Sequence, residues 1–138
     1  MFYLTAGILN YLSAAISIVF GLIYLFNRSF LRYHQDAVGR RWSQLDPNIK
    51  ILILALMRAV SGGALLLGFV IIILQWQFHK SHFSWIPLTI LLSSLIMSVS
   101  SLYAMGLVRI HTNGRPPIRL VIVSVFLVFI AYLINSGI

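Results

Sequence analysis

The run IKILILALMRAVSGGALLLGFVIIILQW, residues 49–76, decides the class of this chain. A helix rises about 1.5 Å per residue, and about 20 mostly apolar residues cross the hydrocarbon core of a bilayer. This run exceeds that length, and Arg58 is the one charged side chain deep inside it, Lys50 standing at the border. It lacks the period-two alternation of a barrel strand, so it reads as a helix. Stretches 3–26, 85–108 and 118–135 meet the same criterion. The expected fold is therefore an all-α membrane protein, a four-helix transmembrane bundle in which 1–138 form a single transmembrane domain. Four such spans leave no room for a soluble catalytic domain.

Composition agrees. Sixty per cent of the 138 residues are hydrophobic and 9% charged, against roughly 45–50% and about 25% in soluble domains. An ordinary globular, disordered or collagen-like chain is excluded. With no cysteine, disulfides, thiolate metal sites, iron–sulfur clusters and covalently attached c-type haem are excluded as well. No cofactor is expected. Stretch 3–26 is not a secretory signal by pattern, because its positive charges, Arg28 and Arg32, follow the apolar run instead of preceding it. It reads as a retained first helix.

Ten basic residues against two acidic ones give a net charge of +8. The basic residues lie in short loops without a nucleic-acid-binding motif, so no nucleic-acid partner is expected. Their distribution sets the orientation. Arg28, Arg32, Arg40, Arg41 and Lys50 lie in or beside the first loop, and Arg109, Arg115 and Arg119 in or beside the third. The second loop holds only Lys80. By the positive-inside rule the first and third loops are cytoplasmic and both termini lie outside. Trp76 and Trp85 flank the outer loop and Trp42 sits in the inner one, as interfacial aromatics do.

On a helical wheel, residues 30–45 place Phe30, Leu31, Ala37, Val38, Trp42 and Leu45 on one arc. Arg32, Gln35, Asp36, Arg40 and Ser43 fall on the other. This pattern predicts a cytoplasmic interfacial amphipathic helix, with Arg28, Arg32, Arg40 and Arg41 meeting anionic lipid headgroups. Asp46-Pro47 reads as the N-cap and first residue of the second span. Thr112-Asn113-Gly114-Arg115-Pro116-Pro117 is a turn by composition.

Small residues predict how the bundle packs. Asn10, Ser13, Ser17 and Gly21 form one stripe, Ala55, Ala59 and Gly63 a second, and Ser94, Ser98 and Ser101 a third. The first three helices are expected to pack by these faces, the fourth covering them or meeting lipid. The same serines and Asn10 would line any narrow polar cavity.

Arg58 lies about 13–18 Å along its helix. An arginine there either snorkels to headgroups or serves as an anion or carbonyl clamp in a cytoplasm-facing pocket. No span contains an acidic residue, so its partner is a loop carboxylate, a backbone carbonyl or a ligand. Tyr24, Tyr33, His34, Tyr103 and His111 all fall toward the same side and either rim one pocket with Arg58 or are only neighbours at the interface. Asp36, four residues from both Arg32 and Arg40, has ion-pair spacing, and Asp46 has a capping role, so the pair makes a poor general acid and base. His79 and His82 offer two imidazoles without a carboxylate, and no metal site is expected. Spans without Asp, Glu or His argue against proton-coupled transport.

Tyr33-His34-Gln35-Asp36-Ala37-Val38-Gly39, Trp42, Leu45-Asp46-Pro47, Ala55-Leu56-Met57-Arg58 with Gly62-Gly63, and Asn113-Gly114-Arg115-Pro116-Pro117 together span most of the chain. In these it resembles small bacterial four-span integral membrane proteins of uncharacterised function. The resemblance implies a bacterial inner membrane and no particular activity. It draws attention to His34, Asp36, Arg58 and Asn113 as a shared cytoplasmic-side cluster. The functional expectation is a non-enzymatic membrane protein acting by association, as an accessory or scaffold subunit or a homo-oligomer. The alternative is a binder or enzyme for a lipid, quinone or other amphiphile, its polar head held by Arg58, His34, His111, Tyr24, Tyr103 and Asn113.

Overall fold

The computed structural model describes the backbone of residues 2–137 and the side chains of 4–137. Helices α1 (Phe2–Phe26), α3 (Pro47–Ser81), α4 (Trp85–His111) and α5 (Ile118–Ser136) are all long and apolar enough to cross a membrane. A short α2 (Arg32–Val38) and a 3-10 turn at Trp42–Gln44 lie between α1 and α3. No strand occurs among the described residues. The protein is thus a multi-pass, all-helical chain of the kind expected, and its exterior suits lipid: Leu52, Leu56, Phe69, Ile96, Ile110 and Phe126 are all exposed.

Local chemistry sets the helix ends. Asp46 accepts the Asn48 N–H at 2.8 Å and Pro47 occupies the first helical position of α3, where a missing N–H is no loss. At its far end α3 runs to Ser81, beyond the expected residue 76, and stops at His82 in the left-handed region, φ 52°. Its 35 residues measure about 52 Å at 1.5 Å per residue, more than the roughly 30 Å hydrocarbon core. A helix of this length extends past such a core, and its last turns carry His79 and Lys80. The Lys80 ammonium lies 3.7 Å over the Trp76 ring.

The expected interfacial helix over 30–45 is not continuous. α2 ends at Gly39, whose φ of 68° lies in the left-handed region, with its N–H donating to Gln35. A helical wheel assumes an unbroken 100° step and cannot register that reversal. Part of the apolar arc still turns inward, for Phe30 and Leu45 are buried and the Phe30 and Trp42 rings meet edge to face at 5.1 Å.

The four long helices form an antiparallel ring in which α1 packs against α3 and α5, and α4 against the same two. α5 is a full member of it, not a cover. Its Val128 and Ala131 are buried, and its Ser124 hydroxyl lies 2.7 Å from that of Ser13. The α3 core face also differs from the small-residue stripe. Ala55 and Ala59 are exposed, whereas Met57, Ser61, Ala64, Gly68, Ile71, Gln75 and Phe78 are buried. Those positions alternate steps of four and three, the 3.5-residue seam of left-handed helix packing. Gly68 lets α1 come close, since a Cβ there would lie 2.5 Å from Ile18 and 3.0 Å from the Ala14 carbonyl. Asn10, Ser13, Gly21, Ser94 and Ser98 face inward as their stripes predicted. Ile71, Phe78, Ile86, Ile90, Leu91 and Val128 close the apolar core between them.

Candidate functional site

The last carbonyls of a helix have no partner within it and carry the negative end of its dipole. Around the C-terminus of α1, backbone carbonyls, that of Tyr24 being one of the unpaired ones, are met from three directions. Arg58, reaching across from α3, donates through Nη1 to the Tyr24 carbonyl and through Nη2 to that of Asn27 at 2.8 Å. Asn27 folds back to donate from Nδ2 to Ile23 at 2.8 Å. Ser61, one turn along α3, donates to the Gly21 carbonyl at 2.8 Å. The arginine thus finds its partner in a backbone terminus, one of the three kinds the absence of acidic residues allowed. A guanidinium suits this because its planar fork spans two acceptors at once.

This capped end holds Tyr24, which is buried and stacks on Phe20 with centroids 4.4 Å apart. Its hydroxyl hydrogen-bonds that of Tyr33 on α2. Burial first, then that hydrogen bond, hold the Tyr33 phenol well above its ordinary value, so it stays protonated. His34 sets its ring against Tyr33 at 4.0 Å and edge-on to Tyr24 at 6.0 Å. Its Nδ1 accepts the Leu31 N–H at 3.2 Å, and burial lowers its pKa. Both effects favour the neutral imidazole with its proton on Nε2.

The third loop docks on α2 through Gly114. A Cβ there would lie 2.8 Å from the Tyr33 carbonyl and 2.9 Å from Ala37 and Val108, so only glycine fits without displacement. Thr112 shapes the loop, its hydroxyl donating to the Val108 carbonyl and accepting the Gly114 N–H at 3.1 Å. Gly114 stands between Asn113 and Arg115, and both of these line a groove of about 670 Å³ bounded by the end of α1, by α2 and by the start of α5. Tyr24, Tyr33, Arg32 and Asp36 supply the rest of its polar wall, and Phe20, Ile23, Leu31 and Leu120 its apolar one. An amphiphile-sized groove results, mostly apolar in lining and carrying several polar side chains.

The structure brings together some of the expected site residues and separates others. Tyr24 and Asn113 line the groove. His34 packs on Tyr24 and Tyr33. Arg58 braces the α1 terminus that carries Tyr24. Tyr103 and His111 do not join them: Tyr103 is 70% exposed on the outside of α4, and His111 is exposed with Nδ1 3.1 Å from the Leu107 carbonyl. The helical phase of α4 explains this, since the buried face of its last turns runs through Ser98 and Met105.

Sequence reasoning passed over Gln75. It is fully buried near the opposite end of the bundle, where its Oε1 accepts from Asn10 Nδ2 at 2.7 Å. Its Nε2 lies 3.3 Å from His79 Nε2. A lone glutamine on the 3.5-residue seam was the available signal. Among the described residues no group of three His, Cys, Asp or Glu side chains gathers to hold a metal. No family model, curated protein or solved structure matches the chain.

Proposed function

We propose that this protein binds an amphiphile laterally from the membrane, holding its polar part among Tyr33, Asp36, Asn113 and Arg115 and its apolar part against Ile23 and Leu120. The observation that carries this reading is the mostly apolar groove with polar side chains in its lining between α1, α2 and α5, with Arg58 and Gly114 fixing two of its borders. The proposed setting is a bacterial inner membrane with both termini outside the cytoplasm, from the eight-to-one distribution of Lys and Arg over the loops. Arg28, Arg32, Arg40 and Arg41 then meet anionic headgroups at the cytoplasmic surface. The groove lacks a paired acid and base, which favours binding over catalysis.

Native mass spectrometry of the protein extracted in a mild detergent tests the reading. A retained small amphiphile is expected on the wild-type chain and not on Ile23→Trp, which fills the apolar wall. Equal retention by the two, at equal thermal stability, would refute it.

A second reading, association with another membrane helix, is favoured by Ala55, Ala59 and Gly62, which share an outward face of α3. Small residues on a lipid-facing surface permit close helix approach. In the same spectra, a fixed oligomer or a stoichiometric protein partner without any small ligand would favour this reading.

A further inference from the structure

The third loop contributes to topology in any charge count, but its three arginines also share one place. Arg109 from the last turn of α4, Arg115 from the loop and Arg119 from the first turn of α5 line a groove of about 910 Å³. No carboxylate lines it, and among the described residues none of the three guanidinium groups finds an internal partner. All three side chains are exposed and the whole chain has only two acidic residues, so this charge is available to a ligand from outside. The first turn of α5 forms part of the same wall, adding the positive end of a helix dipole. Thr112 and Asn113 supply neutral polar groups. Three arginines and a helix N-terminus around one concavity suit an oxyanion such as a phosphate better than a neutral headgroup.

Asn113, Arg115, Pro117 and Leu120 line this groove and also the 670 Å³ groove beside α1. The two spaces share lining residues at the start of α5, one carrying three arginines and the other mostly apolar. From this juxtaposition we infer that Arg109, Arg115 and Arg119 form a binding site for the phosphate of a phospholipid, whose acyl portion lies in the groove between α1 and α5. The inference rests on the amphiphile reading and specifies its ligand class. It is distinct from the diffuse attraction of Arg28, Arg40 and Arg41, which line neither groove.

The test uses the full chain in detergent micelles, titrated with phosphatidic acid or with diacylglycerol of the same acyl chains and read by native mass spectrometry. The wild-type protein is expected to take up one phosphatidic acid in preference to diacylglycerol. Simultaneous Arg109→Gln and Arg119→Gln, which line only the basic groove, should weaken phosphatidic acid about tenfold or more and leave diacylglycerol unchanged, as loss of charge-assisted contacts requires. The two corresponding Lys substitutions keep the charge without the fork and should fall between. They also cover the case in which the Gln variant fails to fold. Uptake of several phosphatidic acids without a tighter first one would overturn the site, as would unchanged affinity in a folded Gln variant. Displacement by inorganic phosphate alone would overturn the lipid source and assign the site to the free anion. If Ile23→Trp abolishes both ligands while the arginine substitutions affect neither, the groove stands and the phosphate site falls. If no variant changes either ligand, the amphiphile reading falls with it.

Discussion

The two ends of the α1–α3 seam stabilise polar groups in a low-dielectric interior by different means. At the arginine-rich end, Arg58 and Ser61 donate to backbone carbonyls in and just past the last turns of α1. At the other end two side chains meet, Asn10 and Gln75, with His79 alongside. The difference lies in what can be removed. The carbonyls of a helix terminus exist whatever its sequence, so their need for donors is fixed. A pair of side chains is optional, because both members can be replaced by apolar ones. It also satisfies less: Asn10 Oδ1 is buried without a partner.

The largest expected effect is at Arg58. Replacing it with leucine deletes two hydrogen bonds to a charged donor, each worth about 1.5–3 kcal/mol. Removing an arginine from a span also removes its insertion cost of about 2.5–3.5 kcal/mol, but that benefit goes to insertion more than to packing within the membrane. A loss of about 3 kcal/mol in the stability of the extracted bundle is expected, the low end for the two bonds together, read as a lower midpoint in thermal unfolding. Arg58→Lys keeps the charge but cannot reach both carbonyls in one plane, so it should lie between. A lysine variant as stable as the wild type would mean that the side chain merely reaches for headgroups, and the contrast between the two ends would collapse.

A smaller effect is expected at Gln75. Gln75→Leu strands Asn10 with no partner on either amide atom, and interhelical hydrogen bonds in membranes average about 0.6 kcal/mol, rarely above about 1.7. The loss should be about 1 kcal/mol. Adding Asn10→Leu should recover most of it, since replacing both partners leaves no polar group buried alone. No such recovery is available at the Arg58 end. If the double variant is less stable than Gln75→Leu, the pair carries more than a hydrogen bond, and the polar path toward His79 becomes the place to look.

How much of this was legible in the sequence follows from the same distinction. Lipid forces every backbone group into a helix and every span to a minimum length, so the four spans could be read from hydropathy to within a few residues. Asp46-Pro47 could be read because an N-cap is a local property of two side chains. The partner of Arg58 could be narrowed but not named, since a backbone carbonyl carries no residue type to search for. The break at Gly39 depends on a backbone angle, and glycine permits that angle without requiring it. Ala55 and Ala59 are small but face outward, because residue size alone does not mark an interface, whereas the 3.5-residue spacing through Ser61, Gly68 and Gln75 does. Tyr103 and His111 were grouped with Tyr24 by their depth along the bundle alone, and rotation about the axis of α4 separates them.

The smallest and most local effect belongs to His34, whose neutral ring holds the start of α2 beside the groove. Its pKa in the folded protein lies below the ordinary value of 6.5 because of burial. In the unfolded chain the ring takes up a proton near that ordinary value, so between the two values the unfolded state binds more protons. The stabilisation is therefore complete above about pH 6.5 and is lost as the pH falls from there through the lowered folded value. Protonation of Nδ1 also removes the acceptor for the Leu31 N–H. Amide hydrogen exchange should then show Arg32–Val38 opening more readily under mild acid, with the carbonyl cap at Arg58 unaffected because arginine keeps its proton. In His34→Gln, whose side-chain oxygen can accept the same N–H without titrating, that pH dependence should vanish. Its persistence would mean that the His34 ring does not set the opening of α2.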